Sequence, residues 1–422
     1  MAPSKSQFHH YIPRFILKTF ADNFKLSSSD TDFIANTSNV FQVADPRAQL
    51  GGCRKGKDRK GKRGHQEGAR RPFKPTYHIN VYQAKDHSSV LSDIARAYGD
   101  ENMYRDVNED DCMKFEKLLG NMENTSSGFI RKIWSGEQLS LTREQLGEMK
   151  KFLFIMMYRG EHRRGQYHNS DFDISTRLSI LRHMRHKNIE KIRDVWFDNL
   201  KWLIETPTKH IIDEYVNTIT GRGVLTPFAM MRDHRAPIHL SELVDFGNMS
   251  HTSLCIWQAA EGSEFILSEG CFGAYEGDKG FTFHNFFVVS PRYAIVLVNR
   301  LYTSGRMHAM PFRKSWFGDE LHAEPETIYK NGPPRDVSDV SKISLDDVFK
   351  YRRIVVSKKD VYNVNSILLD ARTKYLTYKS SVCMYKSLRY YDKVKDTVFD
   401  FKHDYSILKR KLFADMNRTH AS

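Results

Sequence analysis

The chain has 422 residues, 40% of them hydrophobic and 12% aromatic, with 27 Phe and 20 Tyr. That content excludes a mostly disordered polymer, because aromatic side chains bury large areas and are scarce in chains that do not fold. The formal net charge is +14, and residues 47–74 carry most of it: eleven Lys or Arg less two acids, Asp58 and Glu67, make +9.

At roughly 100–200 residues per domain, two or three structural units are expected. No apolar run approaches the about 20 residues that span a bilayer, and the opening MAPSKSQFHHYIPRF lacks the apolar centre of a secretory signal. The expectation is an intracellular protein of the nucleus or cytoplasm with no membrane partner. Cys53, Cys112, Cys255, Cys271 and Cys383 contain no CxxC pair, which argues against both a zinc ribbon and a disulfide framework.

In chain order, Pro13 pushes Ile12 toward an extended conformation. Residues 14–20 then form a short helix with Phe15, Leu17 and Phe20 turned inward. Residues 26–39 are polar and loop-like, and 51–68 hold six glycines among their cations, which predicts an exposed or disordered loop. Residues 77–82 alternate as a strand does.

Helices are predicted over 110–134, after the capping-box pattern Thr142-x-x-Gln145, and over 174–204. The last has Leu178, Leu181, Ile189, Ile192, Trp196 and Leu203 on its apolar face, and His183, Arg185, His186 and Lys187 on the other. From about residue 250 the pattern turns to strands at 254–257, 264–267, 281–289 and 293–298. Residues 358–380 return to helical spacing, and the tail to 418 is mixed and basic.

The fold class is therefore α+β: a helical N-terminal half packed with a small, mostly antiparallel sheet from the C-terminal half, plus a C-terminal helix. The segments read as 1–45 (N-terminal motif), 46–75 (basic insert), 76–235 (mainly helical), 236–335 (β-rich) and 336–422 (helical), joined in one integrated domain.

Four stretches in this order resemble the family catalogued as domain of unknown function 4238. His10-Tyr11-x-Pro13-x-Phe15-x-Leu17-x-x-Phe20 is similar to its N-terminal signature. Asn102-Met103-Tyr104 followed by Glu116 and Glu123 resembles its tyrosine and paired helical glutamates, and Arg159 matches a helical arginine. Residues 265–269 and then 288–291 resemble its strand–turn and strand-Ser-Pro steps, with Glu269 where the family usually has Asp and Cys271 where it usually has Pro. The resemblance implies no activity, so the chemistry rests on the residues.

Adjacent His9 and His10 on an extended segment face opposite ways, and His10, which opens the signature, is the acid/base candidate; its structural alternative is a backbone bond that anchors the terminus. Glu116 and Glu123 lie two helical turns apart, about 10 Å along the axis. That spacing suits one carboxylate acting while the other positions an Arg or His.

Arg159 is either a phosphate clamp or a cation that complements a helix C-terminus. Glu269, at a strand end, is a loop carboxylate of the kind active sites use. The insert cations Arg54, Lys55, Lys57, Arg59, Lys60, Lys62 and Arg63 favour polyanions through counterion release, and the same run fits a nuclear import receptor.

Walker, GxGxxG, HExxH and GxSxG motifs are absent from the sequence, which argues against NTPases, dinucleotide enzymes and classical serine hydrolases. The expectation is a nucleic-acid-directed protein, a phosphodiester-cleaving nuclease with His10 as acid/base. Glu116 and Glu269 would be bases or ligands of a divalent metal, and Arg159 would meet the phosphate. The alternative is a non-enzymatic scaffold that binds nucleic acid or protein through the insert.

Overall fold

The computed structural model of the protein describes residues 8–24, 76–104, 114–169, 172–220, 237–278, 281–303, 313–334, 342–372 and 374–421. The basic insert and the polar stretch before it lie outside them. Among the described residues, helices and several mostly antiparallel sheets make the chain α+β.

The N-terminal motif folds as its residues dictate. Strand β1 (Phe8–His10) leads to Pro13 and helix α1 (Arg14–Thr19); Leu17 and Phe20 are fully buried, and Phe15 is partly so. Strands β2 (His78–Gln83) and β3 (Ser88–Asp93) form a hairpin, and β4 (Gly99–Glu101) pairs back onto β1.

Helix α2 (Lys114–Ser135) runs unbroken through Gly120 and the polar 124–128 stretch. It is followed by β5 (Leu139–Thr142) and α3 (Arg143–Arg159). The Thr142–Gln145 capping box is present in both directions.

Helix α3 is the axis of the helical half, with ten of its side chains buried. Adjacent lysines on it reach two other helix ends. Lys150 Nζ donates to the carbonyls of Ser250 and Thr252 at 2.7 and 2.6 Å, and Lys151 Nζ donates to that of Thr206 at 2.7 Å. Amino groups there satisfy carbonyls that a helix leaves unpaired.

The remaining helices of this half are α4 (Glu161–Asn169), α5 (Ile174–Lys187), α6 (Ile192–Glu205), α7 (Thr208–Thr220) and α8 (Leu240–Ser250). The single helix expected over 174–204 is thus two. Asn188 takes a left-handed φ of 54°, and the Ile189 N–H bonds back to the Met184 carbonyl at 2.9 Å, which ends α5. The predicted faces shift with the break: Leu178 and Leu181 are exposed, whereas His183 is buried.

Among the described residues the expected sheet is distributed over four, and the N-terminal half contributes strands to three of them. The largest is ordered β13 (Arg353–Val356), β6 (Ser253–Ala259), β10 (Tyr293–Val298), β9 (Phe281–Val288), β8 (Phe272–Asp278). All its pairings are antiparallel except β13 with β6. A second sheet runs β3, β2, β14 (Tyr375–Tyr378), β7 (Leu267–Ser268); a third joins β11 (Glu326–Ile328), β12 (Val348–Tyr351) and β5.

Strand β14 and helix α9 (Lys358–Asp370) divide the stretch predicted as one helix over 358–380. The tail is helical, as α10 (Ser381–Val398) and α11 (Ser406–Ala421). Buried apolar residues from Tyr11 to Leu412 form one continuous cluster. No helix among the described residues is long and apolar enough to cross a membrane.

Asn365, fully buried in α9, ties these parts together. Its Oδ1 accepts from the Ile266 N–H at 3.1 Å, and its Nδ2 donates to the Glu264 carbonyl at 2.8 Å and to Ser387 Oγ at 2.9 Å. Asn365→Ala would leave the buried Ile266 N–H and the Glu264 carbonyl without their side-chain partner, so the expected loss is roughly 2–4 kcal/mol. A fall in the urea midpoint checks it; an unchanged midpoint contradicts it.

Candidate functional site

The site grows from the pairing of β1 with β4, which sets His9 opposite Asp100 and His10 opposite Gly99. The strands meet so closely that a Cβ on Gly99 would lie 2.2 Å from the His9 carbonyl oxygen; only glycine fits. Alternation then sends the two imidazoles to opposite sides. His9 is buried, and its Nδ1 accepts from the Tyr104 N–H at 3.1 Å. His10 is half-buried, and its Nδ1 donates to the Ala97 carbonyl at 2.9 Å, which leaves the lone pair on Nε2.

Burial holds the His10 pKa down to about 4 against the opposing pull of the Ala97 carbonyl, and nearby Arg14, Arg159 and His9 add to the depression. The imidazole is neutral at physiological pH. Tyr98, which follows in the same loop, takes a φ of 54°, a strained region for a bulky residue. Its carbonyl accepts from the Tyr11 N–H at 2.9 Å.

Arg159 is the last residue of α3 and has 0% of its surface exposed. Its Nε donates to the Tyr11 carbonyl at 3.1 Å, and its Nη2 donates to Glu123 Oε1 at 2.7 Å. Burial pulls its pKa down, but Tyr104, Glu123 and Glu116 more than offset that and raise it. The guanidinium is therefore charged.

Glu116 and Glu123 lie on one face of the continuous α2. Burial pushes the Glu116 carboxyl up, Arg159 opposes the shift and Glu123 adds to it. Tyr104 completes the group: burial raises its phenol pKa, and Arg159, Glu116, Glu123 and Arg164 all lie within electrostatic reach of it. Its ring meets those of His9 and Phe115 and stacks on Trp196.

Four buried polar atoms here have no hydrogen-bond partner among the described residues: His9 Nε2, Tyr104 Oη, Glu116 Oε2 and Arg159 Nη1. Buried polar groups are ordinarily paired, so a set of orphans around one guanidinium stands out. Arg159 is sealed, whereas Glu116, Glu123 and His10 are half-buried and form the side nearer to solvent.

The structure thus brings Arg159 and Glu116 together, with Glu123 as the residue that grips the arginine, and sets His10 beside them. Glu269 is placed otherwise. It sits in the turn Glu269–Cys271 after β7, and its Oε1 accepts the backbone N–H groups of Lys374, at 2.8 Å, and Tyr375. Tyr11 spans the two sets: its carbonyl meets Arg159, and its phenol lies within reach of Glu269. Arg54, Lys55, Lys57, Arg59, Lys60, Lys62 and Arg63 lie outside the described residues.

The sequence model of the family described as Protein of unknown function (DUF4238) matches residues 9–381. The chain belongs to that family. No curated protein and no solved structure matches it.

Two further polar groups in this DUF4238 protein escaped the sequence reading. In the large sheet, His284 Nδ1 donates to Glu276 Oε2 at 2.9 Å, and His284 Nε2 lies 2.7 Å from His322 Nε2. Arg313 and Ser315 hold the same carboxylate at 2.7 and 3.0 Å. A histidine in the apolar run 281–288 was the only sign of it. The second group, His183, Asp198 and His239, has its donor atoms within 4.8 Å of one another; the break between α5 and α6, illegible in the sequence, creates it.

Arg159→Met should cost roughly 3–5 kcal/mol of stability, because it leaves Glu123 and the Tyr11 carbonyl without their buried partner. Glu116→Gln, whose Oε2 has no partner to lose, should cost under about 1 kcal/mol. Chemical denaturation distinguishes the two, and equal losses would contradict the assignment.

For His10, a folded pKa of about 4 below the ordinary 6.5 means that its contribution is fully present above pH 6.5 and is lost as pH falls toward 4. A His10→Gln variant should show a shallower decline of stability across that window than the wild type. Parallel profiles would show that His10 is protonated as readily in the folded state as in the unfolded chain.

Proposed function

We propose that this DUF4238 protein is a phosphodiester-cleaving nuclease, directed to RNA or DNA by the cations of its basic insert. The reading is carried by the orphaned atoms around Arg159. A guanidinium Nη1 and a tyrosine hydroxyl are donors for a phosphoryl oxygen. A carboxyl whose pKa is raised by burial, as that of Glu116 is, holds a proton more firmly than a free one and is better placed to pass it on. The neutral His10 imidazole, with its lone pair on Nε2, is the partner acid/base.

Glu116, rather than Glu269, is the reacting carboxylate in this reading, because Glu269 already accepts two backbone N–H bonds. Glu116 is also the carboxylate that would ligate a divalent metal, while Glu123 stays engaged with Arg159. The insert adds affinity with steep salt dependence and no base preference, and it suits an import receptor as well, which fits a nuclear or cytoplasmic site of action.

The rival is a non-enzymatic scaffold, favoured by the full burial of Arg159. The deciding assay incubates the full chain with labelled RNA and DNA, with and without Mg²⁺ or Mn²⁺. Cleavage is expected, with Glu116→Gln lowering it about 100-fold or more while the melting temperature holds. Intact substrates in every condition would sink the nuclease reading, and a sharp loss of stability in Glu116→Gln would favour the scaffold.

A further inference from the structure

His183 in α5, Asp198 in α6 and His239, the residue before α8, bring donors from three helices to one point. His183 Nε2 lies 2.8 Å from Asp198 Oδ2, and the two imidazoles meet edge to face with centroids 4.9 Å apart. His239 Nδ1 donates to Asn199 Oδ1 at 2.6 Å, which puts the lone pair on Nε2. An outer hydrogen bond of this kind is what orients a metal-ligating histidine.

The His239 ring is held from other sides as well. It stacks on Trp202 with centroids 4.4 Å apart, and Arg182 Nη2 grips the Pro237 carbonyl just before it at 2.6 Å. A plain His183–Asp198 pair would need none of this third, oriented imidazole.

We propose that His183, Asp198 and His239 bind one divalent transition-metal ion of the zinc class. Two imidazoles and a carboxylate suit zinc, cobalt or nickel better than magnesium or calcium. Asp198, with 29% of its side chain exposed, marks the open side where water would complete the shell. Bonds of about 2.0–2.1 Å place tetrahedral donors roughly 3.3 Å apart; the donors now lie within 4.8 Å of one another and would close to that on binding, chiefly at Asp198, the ligand with solvent on one side. The ion would replace the His183–Asp198 hydrogen bond and the looser contact of Lys187 Nζ, 3.9 Å from Asp198 Oδ2.

This site is separate from the proposed phosphodiester chemistry, and its test needs no nucleic acid. Metal-stripped full-length protein is titrated with Zn²⁺ alone, and the zinc-loaded protein is examined by X-ray absorption. One tightly held equivalent is expected, with two imidazoles and oxygen in the first shell and a raised melting temperature.

His239→Gln and Asp198→Asn should each weaken binding about 100-fold or more, and Asn199→Ala about 10-fold. Failure of the wild type to hold one equivalent, or a first shell without two imidazoles, overturns the proposal. So does undiminished binding in the ligand variants. The absorption result stands on the wild type, so it decides even if a variant fails to fold.

Discussion

A guanidinium with no solvent contact must find its acceptors inside the protein, and Arg159 imposes that demand on the helical half. Its Nε is met by a backbone carbonyl, Tyr11, and its Nη2 by a carboxylate, Glu123. The first is available because Pro13 starts α1 and ends the extended stretch before it, while the buried Ile16, Leu17 and Phe20 pin that turn to the core. The second depends on α2 running straight through Gly120. Breaking a buried charged pair costs several times what making it gains, so the N-terminal motif, α2 and the end of α3 must be placed together.

Around that charge the surroundings are aromatic and dry. Tyr104 packs among His9, Phe115 and Trp196, and in such a medium histidines stay neutral and carboxyls hold protons more firmly. Trp196 also connects this centre to the group of His183, Asp198 and His239. It lies two residues before Asp198 on α6, about 200° around the helix, so one face of α6 packs on Tyr104 and the opposite face carries the carboxylate.

Much of this was legible in local sequence. The α+β class, the signature turn at Pro13, the Thr142–Gln145 cap, the alternation of 77–82 and the apolar strand at 293–298 are short-range signals, and the structure keeps them. Glu116, Glu123 and Arg159 were visible as ionisable residues within apolar motifs, and folding gathers them. What sequence could not show is long-range. Asn188 gave no warning that its left-handed backbone would split a helix, and β14 was hidden by helical spacing that continues past Asp370. Glu269 looked like an open loop carboxylate because its partners, the N–H groups of Lys374 and Tyr375, lie 105 and 106 residues away. His284 and His322 meet across a separation of 38 residues.

The pairing of β2 with β14 bears on how the molecule is made. The hydroxyl of Tyr98 reaches Thr377 Oγ1 at 3.0 Å across 279 residues, and β14 supplies the middle of the sheet that β2 and β3 begin. At about 5–20 residues per second on the ribosome, the early hairpin waits on the order of half a minute for its neighbour. During that interval one edge of β2 offers unpaired amides to any other strand in reach. Crowded polysomes translating this message would thus be a place where copies can misassemble, and chaperone capture of the nascent N-terminal third would serve the yield of folded protein.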